Sequence, residues 1–111
     1  MSLKTLMSVL IISMIFFSCS KSSTTMNTNN PNTVSIKNMA FSPASVNVTT
    51  GTTVTWVNND AIAHTVTADN GSFDSGNIAP GNSFTHTFSS AGTISYHCSI
   101  HPMMTGSVAV K

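Results

Sequence analysis

From Thr33 onward, apolar and polar positions alternate with a period of two. Val34 and Ile36 share one face, as do Val46 and Val48, Val54 and Trp56, and His64 and Val66. Phe84, His86 and Phe88 alternate with Ser83, Thr85 and Thr87, and Ile94, Tyr96 and Cys98 alternate with Ser95 and His97. Val108 and Val110 close the chain. Successive side chains of a strand point to opposite faces, so each run predicts a half-buried strand. Val, Ile, Thr and Phe dominate these runs, and β-branched and aromatic side chains pack well on a pleated surface. Turn formers separate them at Ser42-Pro43, Thr50-Gly51, Asn58-Asn59-Asp60, Asn70-Gly71, Ala79-Pro80-Gly81 and Ala91-Gly92. No run keeps a helical period over three turns. Seven or eight short strands in the 79 residues from 33 to 111 predict an all-β sandwich. Within it, Trp56 reads as core, His86 as a packed or rim histidine, and Asn70 to Asp74 as a solvated turn.

The pattern stops at Thr33, and what precedes it has another character. Residues 20–32, SKSSTTMNTNNPN, hold Met26 as their one large apolar side chain. Such a stretch cannot bury enough surface to offset its ordering entropy, so it reads as a flexible tether. Residues 1–19 read as a leader: Lys4 is followed by an apolar run from Leu6 to Phe17, broken by Ser8 and Ser13 and ending in FFSC. A membrane span needs about 20 apolar residues, so an export signal is favoured over an uncleaved anchor. The ending resembles a bacterial lipoprotein box, with small Ser18 before Cys19. It departs from that pattern in carrying Phe16 and Phe17 where Leu and a small residue are usual. The resemblance implies lipidation of Cys19 and an exported protein, periplasmic or at the cell surface, tethered to a membrane. The single domain is then 33–111.

Charge narrows the function classes. Only 6% of residues are charged, with no Glu and no Arg, and the formal net charge is +1. Without Lys4, three lysines (Lys21, Lys37, Lys111) face three aspartates (Asp60, Asp69, Asp74), and the mature chain is neutral. No basic patch points to nucleic acid, and there is little field to steer a charged partner. The two cysteines are Cys19 and Cys98. If Cys19 carries lipid, Cys98 is a lone thiol in an oxidising compartment, and either it is inert and buried or a metal occupies it.

YHCSIHPMM, residues 96–104, offers five candidate ligands: His97, Cys98, His101, Met103 and Met104. Parity puts Cys98 on the inward face of Ile94 and Tyr96 and turns His97 away. A tight loop restrained by Pro102 can bring residues three and six positions after Cys98 back to it, which selects His101 and Met104. Met103 remains the rival of Met104. A further nitrogen can come from His64, just after the turn-like segment NNDAIA. Two imidazoles, a thiolate and a thioether suit copper. Zinc fits less well, because a thioether is a poor fourth ligand in a closed zinc site.

VSIKNMAFSPASVNV, GTTVTWVNND, HTV, SGNIAPGNSFTHTF and AGTISYHCSIHPMMTGSVAV together resemble the cupredoxins of the plastocyanin and amicyanin type, over nearly all of 33–111. The short Cys-x2-His-x2-Met spacing is similar to that of amicyanin. The resemblance implies a Greek-key sandwich holding one copper ion per chain on His64, Cys98, His101 and Met104. It implies a monomeric carrier of single electrons between redox partner proteins, and not an enzyme. It makes His101 the electron gateway, within an apolar docking patch of Ala61, Ile62, Ile100, Pro102 and Met103. Thr65 stands where the family commonly has Asn, opposite Ser99, so a shorter hydrogen bond is expected there. Copper storage or delivery is the main alternative, and a metal-free interaction module a second. His97 beside Cys98 resembles the arrangement in copper oxidases and nitrite reductases, but a second copper centre needs more than the four histidines present.

Overall fold

The computed structural model describes residues 31–111. The leader with Cys19, and the tether apart from its last two residues, lie outside the described residues. Eight strands follow: β1 (Thr33–Lys37), β2 (Ala40–Ser42), β3 (Ser45–Val48), β4 (Thr52–Asn58), β5 (Thr67–Ala68), β6 (Ser83–Phe88), β7 (Gly92–His97) and β8 (Thr105–Val110). They build two four-stranded sheets, ordered β2-β1-β4-β6 and β3-β8-β7-β5. This is the all-β sandwich that the alternation predicts. β1 with β4 and β3 with β8 run parallel, and the other pairs are antiparallel. The chain changes sheet at every connection except β1–β2 and β7–β8. Among the described residues no helix is long and apolar enough to cross a membrane.

The inward faces are those of the alternation. Val34, Ile36, Val46, Val48, Val54, Trp56, Tyr96, Val108 and Val110 are all buried. Trp56 of β4 joins the sheets: its ring meets Tyr96 of β7 edge-on at 5.5 Å and lies 5.8 Å and 6.4 Å from Phe84 and Phe88 of β6. Edge-to-face and tilted pairs at such distances add to the area these rings bury.

Three features depart from the sequence reading. The run at His64 and Val66 is not a strand; His64 makes one bridge to Ile78, and β5 begins only at Thr67. His64, Thr65 and Val66 are all buried, so this backbone has no solvent face and alternation cannot describe it. Secondly, Phe73 in the expected solvated turn is buried. Its ring lies 4.4 Å from His86, 5.7 Å from Phe88 and 6.1 Å from Trp56. One aromatic among polar neighbours carries no period, and the polar residues do form the turn, with Asn70 Oδ1 accepting the Ser72 N–H at 2.9 Å. Thirdly, β1 folds back into a separate β2. Its two-residue turn has Asn38 and Met39 at φ 53° and 59°, the type I′ geometry matched to strand twist. Phe41 of β2 then packs edge-on against Tyr96 at 4.8 Å.

β4 ends at Asn58 in one sheet and β7 ends at His97 in the other. The loops that follow these two ends deliver the candidate ligands.

Candidate metal centre

β7 and β8 form a hairpin whose register closes at His97 opposite Thr105. The residues between are tied by two backbone bonds: the Cys98 N–H donates to Met104 O at 3.0 Å, and the Met104 N–H donates to His101 O at 2.9 Å. A loop this short, pinned at both Cys98 and Met104, leaves His101 little choice but to turn back. His64 arrives on the other loop, fixed by paired backbone bonds with Ile78 at 3.2 Å and 2.7 Å.

The two imidazoles flank the thiol. His64 Nδ1 and His101 Nδ1 each lie 3.7 Å from Cys98 Sγ. The three donor atoms are all within 4.8 Å of one another, and the two rings sit 5.0 Å apart. Metal–sulfur and metal–nitrogen bonds of about 2.3 Å and 2.0 Å, at an angle near 120°, put sulfur and nitrogen about 3.7 Å apart. The spacing therefore fits one ion shared by all three. His64 and Cys98 are fully buried and Met104 nearly so, while His101 is partly exposed. Two imidazole nitrogens and one thiolate sulfur match the borderline and soft donors that copper takes.

Burial alone pushes the Cys98 thiol up. The Thr65 N–H at 3.3 Å and the backbone and side chain of His101 act against it, and the thiol falls from 9.0 to about 6. A thiolate is the form that ligates metal. Thr65 also braces the next residue. Its Oγ1 accepts the Ser99 N–H at 2.7 Å and lies 3.0 Å from Ser99 Oγ.

The remaining candidates separate cleanly. His97 points away from Cys98, with its Nδ1 2.6 Å from Asp69 Oδ1. Met103 is 95% exposed, whereas Met104 is 4% exposed. Ala61, Ile62, Ile100 and Pro102 are exposed. The groove beside His101 is lined by Met39, Pro102, Met103 and Met104.

Sequence reasoning missed Met39, Asn58 and Asp60. Asn58 is fully buried at the end of β4, and its Nδ2 donates to Ile62 O at 2.9 Å and Ile78 O at 2.8 Å. Asp60 Oδ2 lies 2.9 Å from His64 Nε2. The bond to His64, then that from the Met39 N–H, hold the Asp60 carboxyl below its ordinary value. All of these sit in or opposite a segment that reads only as a turn, and nothing local marks which turn residues face a buried imidazole.

The comparisons agree with this architecture. The family model for a cupredoxin-like domain matches residues 8–110. The chain is 32% identical over 83 residues to amicyanin of Paracoccus denitrificans, covering 70% of this chain and 63% of that one, so it spans less than two thirds of that relative's length. It is 35% identical over 86 residues to plastocyanin of Scenedesmus fuscus, covering 66% of this chain and 88% of that protein. Among solved structures, a purple cupredoxin from Nitrosopumilus maritimus superposes with TM-score 0.67 at 31% identity, over 71% of this chain and 98% of that one. A reduced amicyanin mutant superposes with TM-score 0.68 at 32% identity, over 71% and 80% of the two chains. Two sheets closed around an aromatic core, with a histidine from one loop meeting a cysteine and a second histidine from another, are thus joined to a shared sequence: the chain belongs to the cupredoxin-like domain family.

Proposed function

We propose that this protein is a type 1 copper protein that carries single electrons, with one copper held by His64, Cys98, His101 and Met104. The observation that carries the proposal is the paired 3.7 Å spacing of two imidazole Nδ1 atoms about the Cys98 sulfur. Bound copper supplies a one-electron couple. The protein supplies the rest. Backbone bonds across Cys98–Met104 and the Thr65–Ser99 brace hold the donors still, so little rearranges between oxidation states. Burial of His64 and Cys98 excludes water. His101 is the least buried donor and serves as the electron gateway, with Ala61, Ile62, Ile100, Pro102 and Met103 as an apolar docking patch. On this reading the chain works as a carrier and not as an enzyme. We place residues 1–19 as an export leader, Cys19 as a lipid attachment site, 20–32 as a tether and 33–111 as the carrier domain. The protein then acts as a monomer outside the cytoplasm, beside its redox partners.

One observation favours a second reading. Met39 and Met103 present thioethers at the groove beside His101, and thioethers select Cu(I), so copper storage or delivery is the alternative.

Visible and EPR spectra of the copper-loaded domain decide between them. An intense thiolate-to-Cu(II) band, lost in Cys98→Ser and kept in His97→Ala, supports the carrier; its absence in the unaltered protein removes that reading. Repeated one-electron cycling without metal loss separates a carrier from a delivery protein, which yields its copper to a chelator.

A further inference from the structure

His64 has two ring nitrogens, and the structure occupies both. Nδ1 faces Cys98 Sγ at 3.7 Å, and Nε2 faces Asp60 Oδ2 at 2.9 Å. The same Oδ2 accepts the Met39 N–H at 3.2 Å, and Oδ1 accepts the Ala61 N–H at 3.1 Å. The Asp60 N–H donates to Asn58 Oδ1 at 2.9 Å. Asn58 is itself anchored in the core by its two bonds to Ile62 O and Ile78 O. The carboxylate is therefore held from three directions.

That fixed carboxylate constrains the imidazole. An ionised carboxylate only accepts hydrogen bonds, so His64 Nε2 must carry the proton. Nδ1 then keeps its lone pair and presents it toward Cys98. Remove the carboxylate, and the ring can place its proton on Nδ1, where it would bond the thiolate and block a metal. The negative charge, 2.9 Å from the ring, also favours the more highly charged metal ion at that site.

We propose that Asp60 is a positioning residue of this centre: it locks His64 in the Nε2–H tautomer, lowers the reduction potential, and ties the Asn38–Met39 turn to the ligand loop. The same oxygen serves the Met39 N–H and the His64 ring, so the groove beside His101 and the buried ligand share one anchor. The potential arm of this proposal rests on the copper-carrier reading. The tautomer arm does not.

The test uses two variants. Asp60→Asn keeps the volume and an oxygen acceptor and removes the charge; Asp60→Ala removes both. Nitrogen NMR of the metal-free protein should show His64 as the Nε2–H tautomer, and Asp60→Ala should shift it toward Nδ1–H. In the copper-loaded protein, Asp60→Asn should weaken Cu(II) binding about 10- to 100-fold and Cu(I) binding less. Each tenfold change in that ratio raises the potential by about 59 mV. An Nδ1–H tautomer in the unaltered metal-free protein overturns the proposal, as does an unchanged Cu(II)/Cu(I) affinity ratio in Asp60→Asn. Failure of the unaltered protein to give the thiolate band would instead overturn the copper reading, and the tautomer measurement would still decide the role of Asp60.

Discussion

Met103 and Met104 are adjacent and chemically identical, yet their surroundings differ. Met104 is 4% exposed and its N–H and C=O tie it to His101 and Cys98; Met103 is 95% exposed. Met104→Ala is expected to shift the reduction potential and the visible band strongly. Met103→Ala should leave both in place and slow electron exchange with a redox partner; voltammetry and stopped-flow kinetics check the pair. Thr65 matters through its hydroxyl. Thr65→Val keeps the shape but strips the acceptor of the Ser99 N–H, held at 2.7 Å. A loss of about 1 kcal/mol in apo stability is expected from that bond, read from the denaturant midpoint. The approach of His101 to Cys98 was legible because both lie within one short loop. Asp60 was not, because nothing along the chain marks which turn residue meets the second ring nitrogen of His64.

Within the elements, the β7–β8 hairpin does the positioning. Tyr96 of β7 pairs with Gly106 of β8, and the Tyr96 ring folds over Gly106, so an added Cβ would overlap the ring's Cζ and hydroxyl. Gly106 is needed here for space, since its backbone conformation is one other residues accept. Gly106→Ala should cost about 1–3 kcal/mol, the usual range for overpacking, read as a lower urea midpoint at unchanged m-value. Phe73 belongs to no strand but closes the core beside Trp56, Phe88 and His86. Phe73→Ala should cost about 3 kcal/mol or more by thermal or chemical denaturation. Strand positions were readable from period two. Phe73 was not, since a loop aromatic is placed by the sheets it covers.

For the whole molecule, metal-free stability should follow the Cys98 thiol. Its folded value is about 6 against 9.0 for a free thiol. A depressed acid is more protonated in the unfolded chain between those two values. Its stabilising contribution is therefore complete above about pH 9 and is lost as the pH falls through about 6. The midpoint difference between metal-free wild type and Cys98→Ser should shrink across that window on acidification; a difference constant with pH would show that the thiolate is not held this way.

The sequence by itself determined the sandwich and the loop from Cys98 to Met104. Both rest on short-range rules, strand parity and loop closure, that act between residues a few positions apart. Only the tertiary structure decided that His64 leaves the strand pattern, that Phe73 is core, and that Asp60 joins the Met39 turn to a buried imidazole. Those contacts link different sheets and loops, and Thr65 reaches Cys98 across 33 positions. No periodicity encodes such a meeting; it exists only when the two sheets close on each other.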